Sequence, residues 1–481
     1  MVKFRRLFCM DIGGLMMKNI VIGKYAQTVM VFSLLFSYIL SFCFEGQVFY
    51  AIGESYSYNC GKDALYGVFS HFVGLVLCGF VVKSVSVAKN MILFGSFASA
   101  VLALTFFFAP GPLWLPAFML SGLFCGACVS SWAFFLRNNI PKGKRLMACA
   151  DLLIFSNLIM IFNNFISINI SPKLGLASSL IFLSVGICFC LLLDTEDSSA
   201  GRCEERPCPI DGLGGPVFLL CIFVTLLTID SGLMYRVLNP AFYHLSWLAS
   251  WYWALPYIAA LFFMRKMPLE TNRAGFLYLG MSMIVLSFVL FMFMGRAAVD
   301  YIVINTLMLG ACGIFDLFWW SIAADMLDYP QNPAKLFGRC LGANVLGVLI
   351  GGVIGRKITD LSLSEGHTAV AALSVVCVTL AILPLLNAKL LCLLKEHTYI
   401  HAYHEMDREE LSRVKLGIEG DSVLTQRERE VFSLLLEGLS YKRIAENLNV
   451  SENTVKYHIK NLYSKYEVSS RAELLGRALK K

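Results

Sequence analysis

Residues 302–324 read Ile-Val-Ile-Asn-Thr-Leu-Met-Leu-Gly-Ala-Cys-Gly-Ile-Phe-Asp-Leu-Phe-Trp-Trp-Ser-Ile-Ala-Ala, an apolar run carrying a single charge, Asp316. A helix of this length crosses a hydrocarbon layer of about 30 Å at roughly 1.5 Å per residue. Reading outward gives further runs near 25–44, 65–82, 91–108, 113–136, 146–166, 175–193, 216–235, 246–264, 274–294, 341–354 and 369–394, the 341–354 run being short and glycine-rich. With 302–324 they make twelve. None alternates with period two as barrel strands do, and a bilayer leaves no backbone N–H or C=O a partner outside its own helix, so helices are expected throughout.

The composition agrees. Of 481 residues, 57% are apolar and 15% are charged, where a soluble chain carries about 25% charged. A wholly soluble enzyme is excluded. The charge is also unevenly placed: residues 396–481 hold 28 of the 73 charges, a density that belongs in water. A membrane part and a soluble tail follow, with expected boundaries at 1–395 for the membrane domain, 396–420 for a cytoplasmic linker and 421–481 for a compact C-terminal domain. The fold class is therefore expected to be all-α.

Basic residues in the connections orient the spans. With the N-terminus inside, the inner segments carry eighteen, from Lys3 to Arg339, and the outer ones six, including Lys62, Lys173 and Arg296. Both termini are expected in the cytoplasm of a bacterial cell, beneath its inner membrane. The basic N-terminal stretch is not followed by a short apolar core with a small-residue cleavage site, so the first span is expected to be retained. Sixteen cysteines do not imply disulfides, since most sit in apolar runs where a thiol acts as a small hydrophobe. Cys203 and Cys208, in a polar loop, lack the second Cys or His pair that a zinc site needs.

The polar connection 194–215 separates six spans (1–193) from six (216–395). This 6+6 arrangement resembles the major facilitator superfamily, whose halves enclose a site near the membrane midplane. The resemblance is one of topology. At Val82-Lys-Ser-Val-Ser-Val-Ala-Lys89 the chain departs from the superfamily's loop of an acidic residue, glycines and arginines, which weakens the implication of active transport.

Charges inside spans are costly and mark functional candidates. Asp230 and Asp316 stand out, each as a ligand or ion site or as a structural latch between helices. Trp319 and Trp320, beside Asp316, are candidates for a cavity wall. Asp151 is expected to form an interfacial ion pair with the Lys142–Arg145 loop, and His71 adds a titratable group to the second span. Asn157, Asn163 and Asn164 are suited to holding helices together. Trp247, Trp251, Tyr252 and Trp253 are expected to form an interfacial belt. Gly342, Gly347, Gly351, Gly352 and Gly355 give the eleventh span a small face, for close packing or for bending.

In the tail, His397, His401 and His404 share a helical face, but a solvated linker is the simpler expectation. Beyond it the signals sharpen. Thr425-Gln-Arg-Glu428 is a capping box that opens a helix ending at Gly438. Ser440 caps a short helix ending at Asn449, Ser451 caps a third running to about Tyr466, and Ser470-Arg-Ala-Glu473 opens a fourth. The tight turn joining the second and third helices describes a helix-turn-helix.

Leu424-Thr-Gln-Arg-Glu-Arg-Glu-Val431, Gly438-Leu-Ser-Tyr-Lys-Arg-Ile-Ala445, Leu448-Asn-Val-Ser451, Thr454-Val-Lys-Tyr-His458 and Lys465 with Val468 and Arg471 closely resemble the DNA-binding domain of LuxR-type transcriptional regulators. Tyr441 stands where that family usually has Asn, and Tyr466-Glu467 where it usually has Leu-Gly. Lys456, Tyr457 and Lys460 project from one side of the third helix while Val455, Ile459 and Leu462 take the core side; the resemblance implies that these three read bases in the major groove. Thr454, Lys442 and Lys465 are expected at phosphates, and His458 is expected to pack inward. The family binds as dimers, and from residue 421 on the net charge is only +3, so one copy is expected to bind weakly.

These readings lead to a one-component regulator: a membrane part that senses an unknown small molecule or ion, and a tail that binds promoter double-stranded DNA as a homodimer. A secondary transporter with a regulatory tail is the alternative. No nucleophile–base pairing, phosphate loop, cofactor site or metal site is legible, so no enzymatic activity is expected.

Overall fold

A computed structural model describes residues 23–44, 46–195, 214–266, 273–328, 332–361, 367, 370–382, 384, 408–419, 423–439 and 441–480. Every regular element among them is helical. The first half holds α1 (Lys24–Tyr38), α2 (Gln47–Ser55), α3 (Gly61–Val81), α4 (Val85–Ala103), α5 (Trp114–Asn139), α6 (Arg145–Asn169) and α7 (Pro172–Leu191). The second holds α8 (Gly214–Leu233), α9 (Ser246–Tyr252), α10 (Leu255–Met264), α11 (Arg273–Phe293), α12 (Ala298–Asp325), α13 (Pro333–Asp360) and the shorter α14 (Val370–Ile382). Eleven described segments are long and apolar enough to cross a membrane. Of the twelfth run, read as 369–394, α14 is the main described portion; its end lies outside the described residues, as do Cys203, Cys208, His397, His401, His404 and Ser440.

Two spans are longer than their apolar runs. The first extends over Lys24–Ser55, through a π-helical turn at Ile39–Cys43. The run read as a short 341–354 segment is the middle of the 28-residue α13, whose Lys335, Arg339, Arg356 and Lys357 disguise its ends. The Asn332 side chain starts α13 by accepting from the Lys335 amide at 3.1 Å, with Pro333 in the first turn.

The glycine face of α13 is used for close packing. A Cβ on Gly347 or Gly351 would overlap backbone carbonyls of Thr225 or Ile229 on α8, and one on Gly232 of α8 would overlap α13 in return. Gly338 of α13 similarly meets the carbonyl of Leu75 on α3, so the same helix also joins the two halves. In lipid, where no apolar solvent effect drives helices together, such backbone approach is what association depends on.

Side chains fasten the seam between the halves at the end richest in Lys and Arg. Arg145 donates to both Asp328 oxygens at 2.8 Å and to the Ala324 carbonyl at 3.0 Å. Asp151 is held by Arg265, with Nη2 at 3.0 Å, and by the Tyr25 hydroxyl at 2.7 Å. This corrects the expected pairing of Asp151 with the 142–145 loop. Six residues along one helix turn Asp151 about 240° from Arg145, so the two cannot meet and each finds its partner across the seam. Asn332 adds bonds to the carbonyls of Gly79 and Val82 at 2.8 and 2.9 Å. The opposite end is joined by Asn169 to Ser250 at 3.0 Å and by Tyr243 to Glu54.

Gly351→Val is expected to abolish the folded bundle, because the added carbons meet rigid backbone. Gly143→Ala, with nothing within 4 Å, should leave it intact. Monodisperse yield in detergent and the thermal unfolding midpoint of the two variants check this.

Candidate functional sites

The first helix of each half is interrupted by a π-helical turn, Ile39–Cys43 after α1 and Met234–Leu238 after α8. Interruptions at matching places in two repeats mark where side chains converge on a site. Here they converge on a cavity of about 140 Å³ whose wall includes Phe36, Ile39 and Phe44 from one turn and Ser231, Met234 and Tyr235 from the other. Asp316, Trp319 and Trp320 line it as well, so three of the four residues singled out in the spans come together.

The fourth does not. Asp230 is 1% exposed and lies outside the cavity wall, although Thr228 and Ser231 beside it belong to that wall. Neither of its carboxylate oxygens has a hydrogen-bond partner among the described residues. Asp316 is better supported: the Tyr257 hydroxyl donates to one oxygen at 2.8 Å and the Trp319 indole N–H to the other at 3.1 Å. The i, i+3 spacing on α12 puts Trp319 over the carboxylate.

Other wall residues were less legible. Trp253, read as part of an interfacial belt, lines the cavity, while Trp247 at 61% exposure does face outward. Pro256 in the first turn of α10 and the break before it turn this segment inward. Tyr257 carried no sequence signal. Among the amides, Asn163 joins helices by bonding Ser41 at 3.2 Å and Ser178 at 2.7 Å, whereas Asn157 and Asn164 reach the cavity. His71 lines it too, edge-on to Phe44 at 5.7 Å.

The tail has its own core, built from residues including Ile418, Val431, Leu435, Ile444, Val455, Leu462 and Leu474. Its helices are α15 (Arg408–Glu419), α16 (Gln426–Leu436), α17 (Tyr441–Leu448), α18 (Glu452–Tyr466) and α19 (Arg471–Lys480). α15 falls within the segment read as linker; Leu411, Val414 and Ile418 give it an apolar stripe that packs on the domain. Thr425 and Glu428 form the reciprocal cap, with the Thr425 amide on Glu428 at 2.8 Å. Three helices end on residues with positive φ, Gly438, Asn449 and Glu467, and in each case the next amide bonds back into the last turn. Asn449 makes the turn from α17 to α18, closed by Val450 N–H on the Ala445 carbonyl at 3.0 Å.

Burial sorts α18 as its spacing requires. Val455, Ile459 and Leu462 are buried, Lys456 and Lys460 are exposed, and Tyr457 is 63% exposed. The Ser451 hydroxyl caps the helix through the Thr454 amide at 3.1 Å and meets the Thr454 hydroxyl at 2.8 Å. Lys456 is paired with Glu452 at 2.7 Å on the exposed side. His458 is half-buried beside Tyr457, and Lys442 is exposed on α17. Lys465 differs from the expectation at phosphates: its ammonium bonds Glu428 at 2.6 Å and the Val423 carbonyl at 2.9 Å. A buried carboxylate draws the nearest cation inward. Burial raises the Glu428 pKa, but the Lys465 ammonium and the amide and hydroxyl of Thr425 outweigh it and hold the carboxyl below its ordinary 4.5.

The two departures at 441 and 467 have local explanations. Arg471 donates to the carbonyls of Leu435 and Leu439 at 3.1 Å each and lies over the Tyr441 ring, 6.0 Å from its centroid. Glu467 has φ 51°, where glycine is at ease and an L side chain is strained.

Residues 422–478 match the family described as bacterial regulatory proteins, luxR family. They are a LuxR-type helix-turn-helix domain. Over 61 residues, 12% of this chain and 28% of the relative, the chain is 54% identical to the nitrate/nitrite response regulator protein NarP of Escherichia coli. Over 56 residues, 12% of this chain and 25% of the relative, it is 45% identical to the monoamine regulon transcriptional regulator of Klebsiella aerogenes. The chain thus spans about a quarter of the length of these relatives. The human organic anion transporter MFSD10 superposes with a TM-score of 0.53 at 12% identity, covering 76% of this chain and 98% of its own. The bundle therefore has a fold of the major facilitator type.

Lys465→Met is expected to destabilise a 408–481 fragment by roughly 1–3 kcal/mol, by stranding a buried carboxylate; Lys442→Met should stay within about 0.5 kcal/mol. With its folded pKa depressed, Glu428 stabilises the domain above pH 4.5 and loses that contribution as pH falls through the folded value. Denaturant titrations at several pH values, repeated on Glu428→Gln, check both. Glu467→Gly should stabilise the fragment by roughly 0.5–1 kcal/mol, relief of the left-handed strain exceeding the added unfolded-state entropy.

Proposed function

We propose that this chain is a membrane-embedded, one-component transcriptional regulator of a bacterium. Its helical bundle senses a chemical signal at the cavity, and its helix-turn-helix domain binds promoter DNA. The observation that carries the reading is the exposed side of α18, Lys456, Tyr457 and Lys460, on a domain of a DNA-binding family joined to a multi-pass bundle. In this reading those three side chains enter the major groove, with Lys456 exchanging Glu452 for guanine acceptors or phosphate. Thr454 and Lys442 contact phosphates. Lys465 serves the domain's own stability instead.

The basic connections favour an inner-membrane protein with both termini in the cytoplasm. At a net charge of +3 from residue 421 on one domain holds DNA weakly, so pairing of two tails at the membrane raises their effective concentration and makes dimerisation the natural switch. A ligand alters DNA affinity only as far as it favours one arrangement of the bundle over another. A second reading, a secondary transporter with a regulatory tail, draws on the transporter-type fold and its cavity; solute uptake by proteoliposomes that Asp316→Asn abolishes would favour it.

Genome-wide crosslinking of the full-length protein in its native cell is expected to give discrete promoter peaks that disappear in Lys456→Ala/Lys460→Ala. On DNA from those peaks, Lys442→Ala should weaken binding evenly across sequences and lower the salt slope by about 0.9. Absence of peaks across growth conditions would contradict the reading.

A further inference from the structure

The cavity wall has a definite chemical character. Among the described residues it includes one carboxylate, that of Asp316, and no lysine or arginine. Both groups that hold this carboxylate, the Tyr257 hydroxyl and the Trp319 indole, are neutral donors. A carboxylate offers about four acceptor positions, so about two remain for a further donor, and the charge has no counterion in the wall. A lone carboxylate in a largely apolar wall attracts a cation more strongly than it would in bulk water.

The surroundings favour an organic cation over a metal ion. The Trp319 and Trp320 ring centroids are 5.5 Å apart, Phe36 meets Trp320 at 5.7 Å, and Tyr235 meets Trp253 at 5.7 Å. Aromatic faces bind ammonium groups through their quadrupole, whereas hard metal ions require roughly six or more oxygen ligands. The volume, about 140 Å³, is close to the engineered cavity of about 150 Å³ that admits benzene. The occupant is therefore no larger than one ring or a short branched chain. At the first half's side of the wall, the His71 Nδ1 and Asn164 Oδ1 atoms are buried without partners among the described residues, although both side chains line the cavity. A ligand held at Asp316 and reaching them contacts both halves at once.

We propose that the cavity binds a small organic ammonium ion, its nitrogen on the Asp316 carboxylate and its apolar body among Trp319, Trp320 and Phe36. The proposal names the ligand class of the sensing site and rests on the sensor reading given above. Contact with both halves lets occupancy favour the arrangement in which the ion pairs Arg145–Asp328 and Asp151–Arg265 are closed.

The test uses full-length protein in lipid nanodiscs, with tryptophan fluorescence read during titration with butylammonium and benzylammonium. Neutral counterparts, butanol and benzyl alcohol, and sodium chloride are run alongside. Saturable binding of at least one ammonium ion is expected, at least about tenfold tighter than its neutral counterpart, since a charge-assisted bond is replaced by a neutral one. Asp316→Asn, which preserves shape, should weaken it at least tenfold. The comparison of ammonium with alcohol on the unaltered protein stands even if that variant does not fold. Equal binding of ammonium and alcohol, no saturable ammonium binding, or saturation by sodium alone overturns the proposal. Promoter affinity is measured in the same samples. Ammonium binding that leaves it unchanged upholds the ligand class and overturns the sensor reading, while affinity that responds to other signals without ammonium binding overturns the ligand class alone.

Discussion

Two ion pairs across one seam, Arg145–Asp328 and Asp151–Arg265, hold the halves of the bundle together at one end, the cytoplasmic one in the proposed orientation. Each joins a side chain on α6 to one on or beside the second half's helices, and Arg145 and Asp151 are almost completely buried. Removing the partly exposed member, Asp328 or Arg265, would leave a buried charge without its ion-pair partner, which costs about 3–5 kcal/mol. That makes the seam an all-or-none element rather than a graded one. The glycine packing of α13 against α8 and α3 joins the halves by backbone contact as well.

The cavity lies between the same halves, so in the proposed regulator its state and the state of the seam are coupled. The π-helical turns after α1 and α8 bring side chains from both repeats to its wall. In a transporter such a site would open alternately to either side. In the regulator proposed here, the same bistability is read out by a DNA-binding domain on the cytoplasmic side. That domain has its own core and its own caps, and in the proposed reading its exposed α18 side chains meet a major groove once Lys456 leaves Glu452. What remains to be controlled is how many copies meet one promoter and how freely.

Much of this was legible because it depends on short-range rules. Apolar runs mark spans wherever the bilayer forbids unpaired backbone groups, and the capping pattern at Thr425 and Ser451 located the starts of α16 and α18 to the residue. Asp316, Trp319 and Trp320 could be singled out because charge and aromatic bulk in a span have few uses. The misses share one cause, which is that partners distant in sequence decide them. Asp151 meets Arg265 because helices from different halves adjoin, and Trp253 turns inward because a break before Pro256 redirects its helix. α13 outran its apolar run because Lys335, Arg339, Arg356 and Lys357 interrupt the apolar pattern, although Ala334 and Phe337 near its start are buried. Lys465 looked like a phosphate ligand until Glu428, thirty-seven positions away, was found beneath it. Glu467 showed as a departure from the family pattern, and only its φ of 51° gives that departure a physical meaning.

The central claim is that the arrangement of the bundle sets the affinity of the tail for DNA. The most direct test is the DNA-binding isotherm of the full-length protein in nanodiscs, beside Arg145→Ala/Arg265→Ala and the 408–481 fragment, on promoter DNA recovered by crosslinking. The account predicts that breaking the seam changes promoter affinity by tenfold or more while the helix-turn-helix domain keeps its unfolding midpoint. Identical affinities for intact and seam-broken protein would contradict it and reduce the bundle to an anchor.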